Sequence, residues 1–228
     1  MRIMHKLVLF DFDGTLADTA PDLAAAANKA RARKGLAPLP YEALRPLASH
    51  GARGLLKASL DIDPDHPEYD TLRRQFLDDY QQDMTSLTML FPGVEQLLGT
   101  LGRHGYKWGI VTNKVEHLAL PLVEHLGLAD DCAVTVGGDT ASHPKPHPAP
   151  LLYAAEKAGF APEQCIYVGD DERDIVAGKA AGMPTIAAAY GYCGLSEVEG
   201  WQADAIARTP GDIWQLVQQL LPAGCAQA

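Results

Sequence analysis

Two aspartates separated by one residue, Asp11-Phe12-Asp13, run straight into Gly14-Thr15. A carboxylate needs no deprotonation to act as a nucleophile at neutral pH. The acyl phosphate it forms is readily hydrolysed, so one hard transfer becomes two easier ones. A carboxylate two residues on faces the same side of an extended chain and can serve as acid, then as base. Gly14 allows the tight turn and close backbone approach that must follow. Further along stand Thr112-Asn113-Lys114, Lys145-Pro146 and Gly169-Asp170-Asp171, with Asp174 four residues beyond Asp170. An ammonium, a hydroxyl and backbone N–H groups are the donors that bind phosphoryl oxygens. Crowded carboxylates cannot all ionise without a cation, and hard oxygen ligands of this kind suit Mg2+.

Each of these groups follows a short apolar run that reads as a buried parallel strand: Leu7–Phe10, Trp108–Val111, Ala133–Val136 and Ile166–Val168. Thr185–Ala188 and a weaker Ala205–Ala207 complete the set. Helical patterns lie between them at Val94–Arg103, Glu116–Leu126, Ala149–Ala158 and Ile175–Ala181. Strand alternating with helix predicts an α/β fold with a doubly wound, Rossmann-like parallel sheet. Ligands of such sheets bind beyond the carboxyl ends of the strands, so the polar groups converge on one rim.

The first interval is far longer than a crossover requires. It carries helical patterns at Asp22–Lys34, Tyr41–Leu47, Gly51–Leu60 and Tyr69–Met84. Residues 16–87 are therefore expected to form an inserted α-helical domain, with residues 1–15 and 88–228 as the core. Within the insert, Ser49-His50-Gly51-Ala52-Arg53-Gly54 joins two helical patterns and is expected as a loop. His50 and Arg53 are its candidates for contact with a polar or anionic substrate substituent.

A formal net charge of -10 and a pI of about 5.2 argue against nucleic acid or a membrane surface as partner. A bound divalent cation would locally resolve the conflict between an acidic chain and a phosphate ester. Cys132, Cys165, Cys193 and Cys225 form no CxxC pair, which points to reduced thiols and a cytoplasmic setting. The apolar run within Met1–Phe10 is too short for a signal peptide. The small, polar tail from Pro222 to Ala228 is expected to fray.

The DxDGT motif at Asp11–Thr15, Thr112 after a strand, Lys145, and the GDxxxD pattern at Gly169–Asp174 together resemble the haloacid-dehalogenase-like hydrolase superfamily. The resemblance covers most of the chain in order and spacing. It implies a Mg2+-dependent phosphatase acting on a small phosphate ester. Asp11 would be the nucleophile and a metal ligand. Asp13 would be the general acid/base, with its main-chain carbonyl on the metal. Gly14, Thr112, Asn113 and Lys145 would bind phosphate, and Lys145 would neutralise the nucleophile. Asp170 would ligate the metal. Asp174 would support the metal shell or Lys145, and Asp171 a metal-bound water. The insert resembles the family's smaller cap.

Two groups within the family compete. Asp18-Thr19-Ala20-Pro21-Asp22-Leu23 resembles bacterial phosphoglycolate phosphatases. Gly51-Ala52-Arg53, the stretch from Asp61 to Tyr80, Gly169–Ile175 and Tyr190-Gly191-Tyr192 resemble N-acetylmuramic acid 6-phosphate phosphatases. The first group leads. A sugar phosphomutase with the same cap stays open, as does the choice between monomer and homodimer. Dehalogenation leaves Asp13 without a task, since departing halide needs no proton. A receiver-type phospho-switch is about half this length and has no place for the insert. Plainer readings stand beside the sharp ones. Asp11, Asp13 and Thr112 are also turn or cap residues, Lys145 a solvated loop lysine, and Asp171 and Asp174 the acids that favour a helix N-terminus. Tyr190-Gly191-Tyr192, after the fifth strand, is a candidate for the site rim, with an ordinary loop as the plainer reading.

Overall fold

In the computed structural model, which describes residues 6–222, the chain forms two compact units. One ends at Leu16 and resumes at Leu90; the other is Ala17–Met89. In chain order the first half contains β1 (Lys6–Phe10), β2 (Ala17–Asp18), α1 (Ala20–Arg33), α2 (Tyr41–Leu44), α3 (Gly51–Leu60), α4 (Tyr69–Asp83) and β3 (Met89–Leu90). Then come α5 (Val94–Arg103), β4 (Tyr106–Val111), α6 (Glu116–His125), β5 (Thr135–Val136), α7 (Ala149–Ala158) and β6 (Cys165–Gly169). The chain continues through α8 (Glu172–Ala180), β7 (Thr185–Ala188), α9 (Leu195–Val198), β8 (Ala205–Ala207) and α10 (Pro210–Leu220).

The larger unit is built on a six-stranded sheet in the order β5-β4-β1-β6-β7-β8. Its pairings are parallel, with Val8 opposite Trp108 on one side and Ile166 on the other. β1 is therefore central and covered on both faces, which is why Leu7–Phe10 is a continuous apolar run without alternation. Leu7 and Leu9 pack with Val111 and Tyr167 against α7 and α8 through Leu151, Ala154 and Ala177. Helices α5 and α10 pack on each other, α5 against β4 and α10 against β7 and β8. The doubly wound, Rossmann-like α/β expectation is met. The strand order reverses at β1, so the carboxyl ends of β1 and β6 flank the switch point where such sheets hold ligands.

Several boundaries differ from expectation for local reasons. The third strand is confined to Thr135–Val136, although Ala133 N–H and Val134 C=O still pair with Trp108 and Ile110. The second helix of the insert stops at Leu44 and continues as a 3-10 turn over Arg45–His50, because Pro46 supplies no N–H. α8 starts three residues early, since Asp171 caps it by accepting Arg173 N–H while Asp174 reaches back to Asp171 N–H. α10 was not anticipated, although Thr209-Pro210 and Asp212 form a capping box there.

The smaller unit packs α1, α3 and α4 together. Small side chains at Ala24, Ala27 and Ala30 let α1 sit close to its neighbours, and Leu55, Leu56, Phe76 and Tyr80 fill the space between. Buried Asp22 accepts from the N–H groups of Leu87 and Thr88 and from the Thr88 hydroxyl. No helix among the described residues is long and apolar enough to cross a membrane. Cys225 and residues 223–228 of the tail lie outside the described residues, as do the first five residues of the N-terminal run.

Candidate active site

The site is assembled where β1, β4 and β6 end. Asp11 is the first residue past β1, and its N–H still pairs with Val168 C=O at 2.8 Å. Its Oδ1 accepts from Phe12 N–H at 2.7 Å and from Lys145 Nζ at 2.9 Å. Its Oδ2 takes no hydrogen bond from the described residues. The chain then turns, with Thr15 and Leu16 N–H donating to Phe12 C=O. Gly14 sits at φ +83°, and a Cβ there would lie 2.1 Å from Asp170 Oδ2. A glycine is needed both for the backbone conformation and for the approach of Asp170.

Lys145 is 3% exposed, so it is no solvated loop lysine. Its Nζ lies 2.7 Å from Asp174 Oδ1, 2.8 Å from Tyr167 Oη and 3.0 Å from Val111 C=O, besides Asp11. Its main chain is clamped by Asn113, whose amide accepts from Lys145 N–H and donates to Lys145 C=O, both at 2.9 Å. Both ends of the Asn113 side chain are thus committed to placing Lys145. Thr112 is buried and its hydroxyl oxygen accepts from Lys114 N–H at 3.1 Å, leaving its proton to donate. Lys114 Nζ in turn lies 3.1 Å from Asp13 Oδ1.

Asp170 is fully buried past β6. Thr15 Oγ1 donates to its Oδ1 at 3.1 Å and Tyr192 N–H to its Oδ2 at 2.9 Å. Tyr190 Oη donates to Thr15 C=O at 2.9 Å. A Cβ at Gly191 would come within 2.4 Å of Asp170 Cβ and 2.5 Å of Gly14 O. The segment Tyr190-Gly191-Tyr192 is therefore a brace for Asp170 and the first turn, not an ordinary loop. Asp174 accepts from Lys145 and Tyr167 on Oδ1 and from Asp171 N–H on Oδ2. Asp171 caps α8 and is held by the fork of Arg173, with contacts at 2.7 and 2.8 Å.

The electrostatics follow from this crowding. Burial, then Asp174 and Asp13, push the Asp11 carboxyl up to about 7 against the pull of Lys145. Burial, then Asp11 and Asp174, drive Asp170 well above the usual carboxylate range. Burial opposes the charge on Lys145, but Asp11 and Asp174 outweigh it and raise its pKa, so it keeps its proton. Burial and Asp174 likewise keep Tyr167 neutral. Asp11, Asp13, Asp170, Asp171 and Asp174 crowd together with Lys114, Lys145 and Arg173, so carboxylates outnumber the cations paired with them here. Oxygens of Asp11, Asp170 and Asp174 lie within 4.8 Å of one another. Hard donors with this excess of negative charge fit a small divalent cation.

Asp11, Asp13, Gly14, Thr112, Asn113, Lys145, Asp170, Asp171 and Asp174 thus lie in the sheet unit. His50 and Arg53 belong to the helical unit, where both are exposed. They do not lie in a loop: the 3-10 turn ends at His50 and α3 begins at Gly51, whose φ of +56° makes the junction. Gly54 is small because a Cβ there would meet His50 Cβ at 2.4 Å. Tyr167 was not singled out from the sequence, and Lys114 and Thr15 stood in their motifs without a role of their own. The one legible hint was Tyr167 itself, a phenol inside the apolar run Ile166–Val168.

A family model described as haloacid dehalogenase-like hydrolase matches residues 8–188. The chain belongs to that family. A phosphoglycolate phosphatase of Xanthomonas campestris is 44% identical to this family member over 211 residues, covering 92% of the chain and 95% of the relative. An N-acetylmuramic acid 6-phosphate phosphatase of Pseudomonas aeruginosa is 38% identical, covering 96% and 98%. A crystal structure from Haemophilus somnus, described as a predicted phosphoglycolate phosphatase, superposes with a TM-score of 0.83 at 29% identity, covering 96% of this chain and all of that one. By family and relatives this haloacid dehalogenase-like hydrolase is a phosphoric monoester hydrolase.

Proposed function

We propose that this hydrolase cleaves 2-phosphoglycolate, with Asp11 as nucleophile and Asp13 as acid and then base. The observation that carries the reading is the state of Asp11. Its Oδ1 is pinned by Phe12 N–H and Lys145 Nζ, while Oδ2, at the mouth of the central strand, takes no donor from the described residues. Oδ2 attacks phosphorus and the ester P–O bond breaks as Asp13 gives its proton to the leaving alkoxide. Asp13 then takes a proton from the water that attacks the aspartyl phosphate, releasing inorganic phosphate and restoring Asp11. Lys145, the Thr112 hydroxyl and main-chain N–H groups at Gly14 and Asn113 hold the phosphoryl oxygens. Asp11, Asp170 and the Asp13 carbonyl would hold Mg2+, which when bound neutralises charge on the transferring group. Asp174 orients Lys145, and Asp171 would support the outer shell of the cation. The helical segment, proposed as residues 16–87 of the chain, serves as a cap with His50 and Arg53 as its substrate contacts. The free thiols among the described residues fit a cytoplasmic enzyme.

The second reading, N-acetylmuramic acid 6-phosphate, is favoured by the Pseudomonas aeruginosa relative, whose match spans 96% of the chain. Acid quenching during turnover of a 32P-labelled ester with Mg2+ should leave label on the peptide carrying Asp11, and Asp11→Asn should abolish both label and turnover. An unlabelled peptide together with an active Asp11→Asn enzyme would remove the nucleophile. Comparing kcat/KM for the two esters decides the substrate.

A further inference from the structure

Lys114 holds a buried charge that the proposed chemistry leaves unused. Its side chain is 8% exposed, and its Nζ lies 3.1 Å from Asp13 Oδ1. Desolvating an ammonium is costly, so its placement demands a reason. That placement is rigid. Lys114 N–H is bound to Thr112 Oγ1 at 3.1 Å, and its C=O accepts from Gly138 N–H at 2.8 Å. The turn at Asn113–Lys114 lies flush on the strand end beside it. A Cβ at Gly138 would meet Asn113 O at 2.3 Å, and one at Gly137 would meet Glu116 N at 2.6 Å. The paired glycines look like an ordinary strand end in sequence; in the fold they fix where Lys114 starts.

We infer that Lys114 recognises a carboxylate on the leaving group, immediately beside the ester oxygen. This rests on the reading of Asp13 as the acid that protonates that oxygen. An acid must stand about 2.6–3.2 Å from the atom it protonates. In 2-phosphoglycolate a single methylene separates this oxygen from the carboxylate carbon. An ammonium in contact with Asp13 therefore reaches the substrate carboxylate without moving its backbone. In N-acetylmuramic acid 6-phosphate the lactyl carboxylate is attached across the sugar ring from the ester, beyond the reach of the same ammonium. A leaving group without a nearby carboxylate covers Lys114 and Asp13 without adding an ion pair, so its transition state is bound less well. Selection for the carboxylate of a short phosphorylated acid thus resides in the sheet unit, at Lys114.

The test compares 2-phosphoglycolate with 2-hydroxyethyl phosphate, which has a hydroxymethyl group in place of the carboxylate, in the parent and in Lys114→Met with Mg2+. The parent should prefer the acid, and the variant should lose about 10–100-fold of that preference, mainly through KM. Lys114→Arg should recover part of it. Where Lys114→Met fails to fold by circular dichroism, Lys114→Gln takes its place. Equal losses on both esters would make Lys114 a positioning residue for Asp13 and overturn the inference while the substrate reading stands. A parent with no preference for the acid would overturn both.

Discussion

Replacing Asp11 by asparagine should stabilise the metal-free protein while abolishing its chemistry. Burial and the neighbouring Asp174 raise the Asp11 carboxyl from its ordinary 3.8 to about 7. Between those values the folded chain keeps a proton that the unfolded chain has lost. Stability therefore falls as pH rises through that window and levels off above about 7. The gap corresponds to about 4 kcal/mol at pH 8 and about 2 kcal/mol at pH 5. Asparagine keeps an oxygen to accept from Phe12 N–H and Lys145 Nζ and carries no charge. Asp11→Asn should thus gain about 2–4 kcal/mol at pH 8 in EDTA, and less at pH 5. Urea unfolding followed by tryptophan fluorescence reads the right part of the molecule, since Trp108, Trp201 and Trp214 all lie in the sheet unit. Excess Mg2+ should narrow or reverse the ranking, because a cation that binds only the folded parent stabilises it. A variant no more stable than its parent at pH 8 in EDTA would refute the argument that Asp11 is held in an electrostatically unfavourable state.

Two further changes probe the support of the site. Gly191→Ala would place a Cβ 2.4 Å from Asp170 Cβ and 2.5 Å from Gly14 O. It should cost about 1–3 kcal/mol in stability by overpacking and weaken divalent-cation binding, measured by titration calorimetry; unchanged cation affinity would show that Asp170 does not depend on this brace. Tyr167→Phe removes the hydroxyl that accepts from Lys145 and donates to Val111 C=O or Asp174. It should lower stability by about 1–3 kcal/mol together with kcat, and a loss below about 0.5 kcal/mol in urea unfolding would mean that Lys145 is satisfied without it.

Much of the sheet was legible because its strands are buried on both faces. Leu7–Phe10 and Ile166–Val168 are unbroken apolar runs, and the polar residues that end them mark the site in the same stroke. What stayed hidden falls into two kinds. Local hydrogen bonding moved boundaries: Asp171 and Asp174 cap α8 earlier than the apolar pattern indicates, and Pro46 turns a helix into a tighter coil. Tertiary contacts gave residues their tasks. Thr15 binds Asp170 and Tyr190 binds Thr15 across most of the chain, and no spacing rule reveals such partners. Tyr167 occupies a position a strand would fill with an aliphatic residue, and Lys145, Val111 C=O and Asp174 explain its hydroxyl. Asn113, expected on phosphate, has its side chain on the main chain of Lys145.

Asp22 has a consequence for how such a chain can change. Its carboxylate ties the first turn of α1 to Leu87 and Thr88, so the segment closes upon itself where it begins and ends. An insertion whose entry and exit are stapled together imposes only a short gap on its host. Its helices can be lengthened, shortened or exchanged for another set without pulling β1 away from β4. The consequence for design is a two-point junction, Asp22 with Leu87 and Thr88, at which a protein engineer can exchange or graft the helical segment as a module.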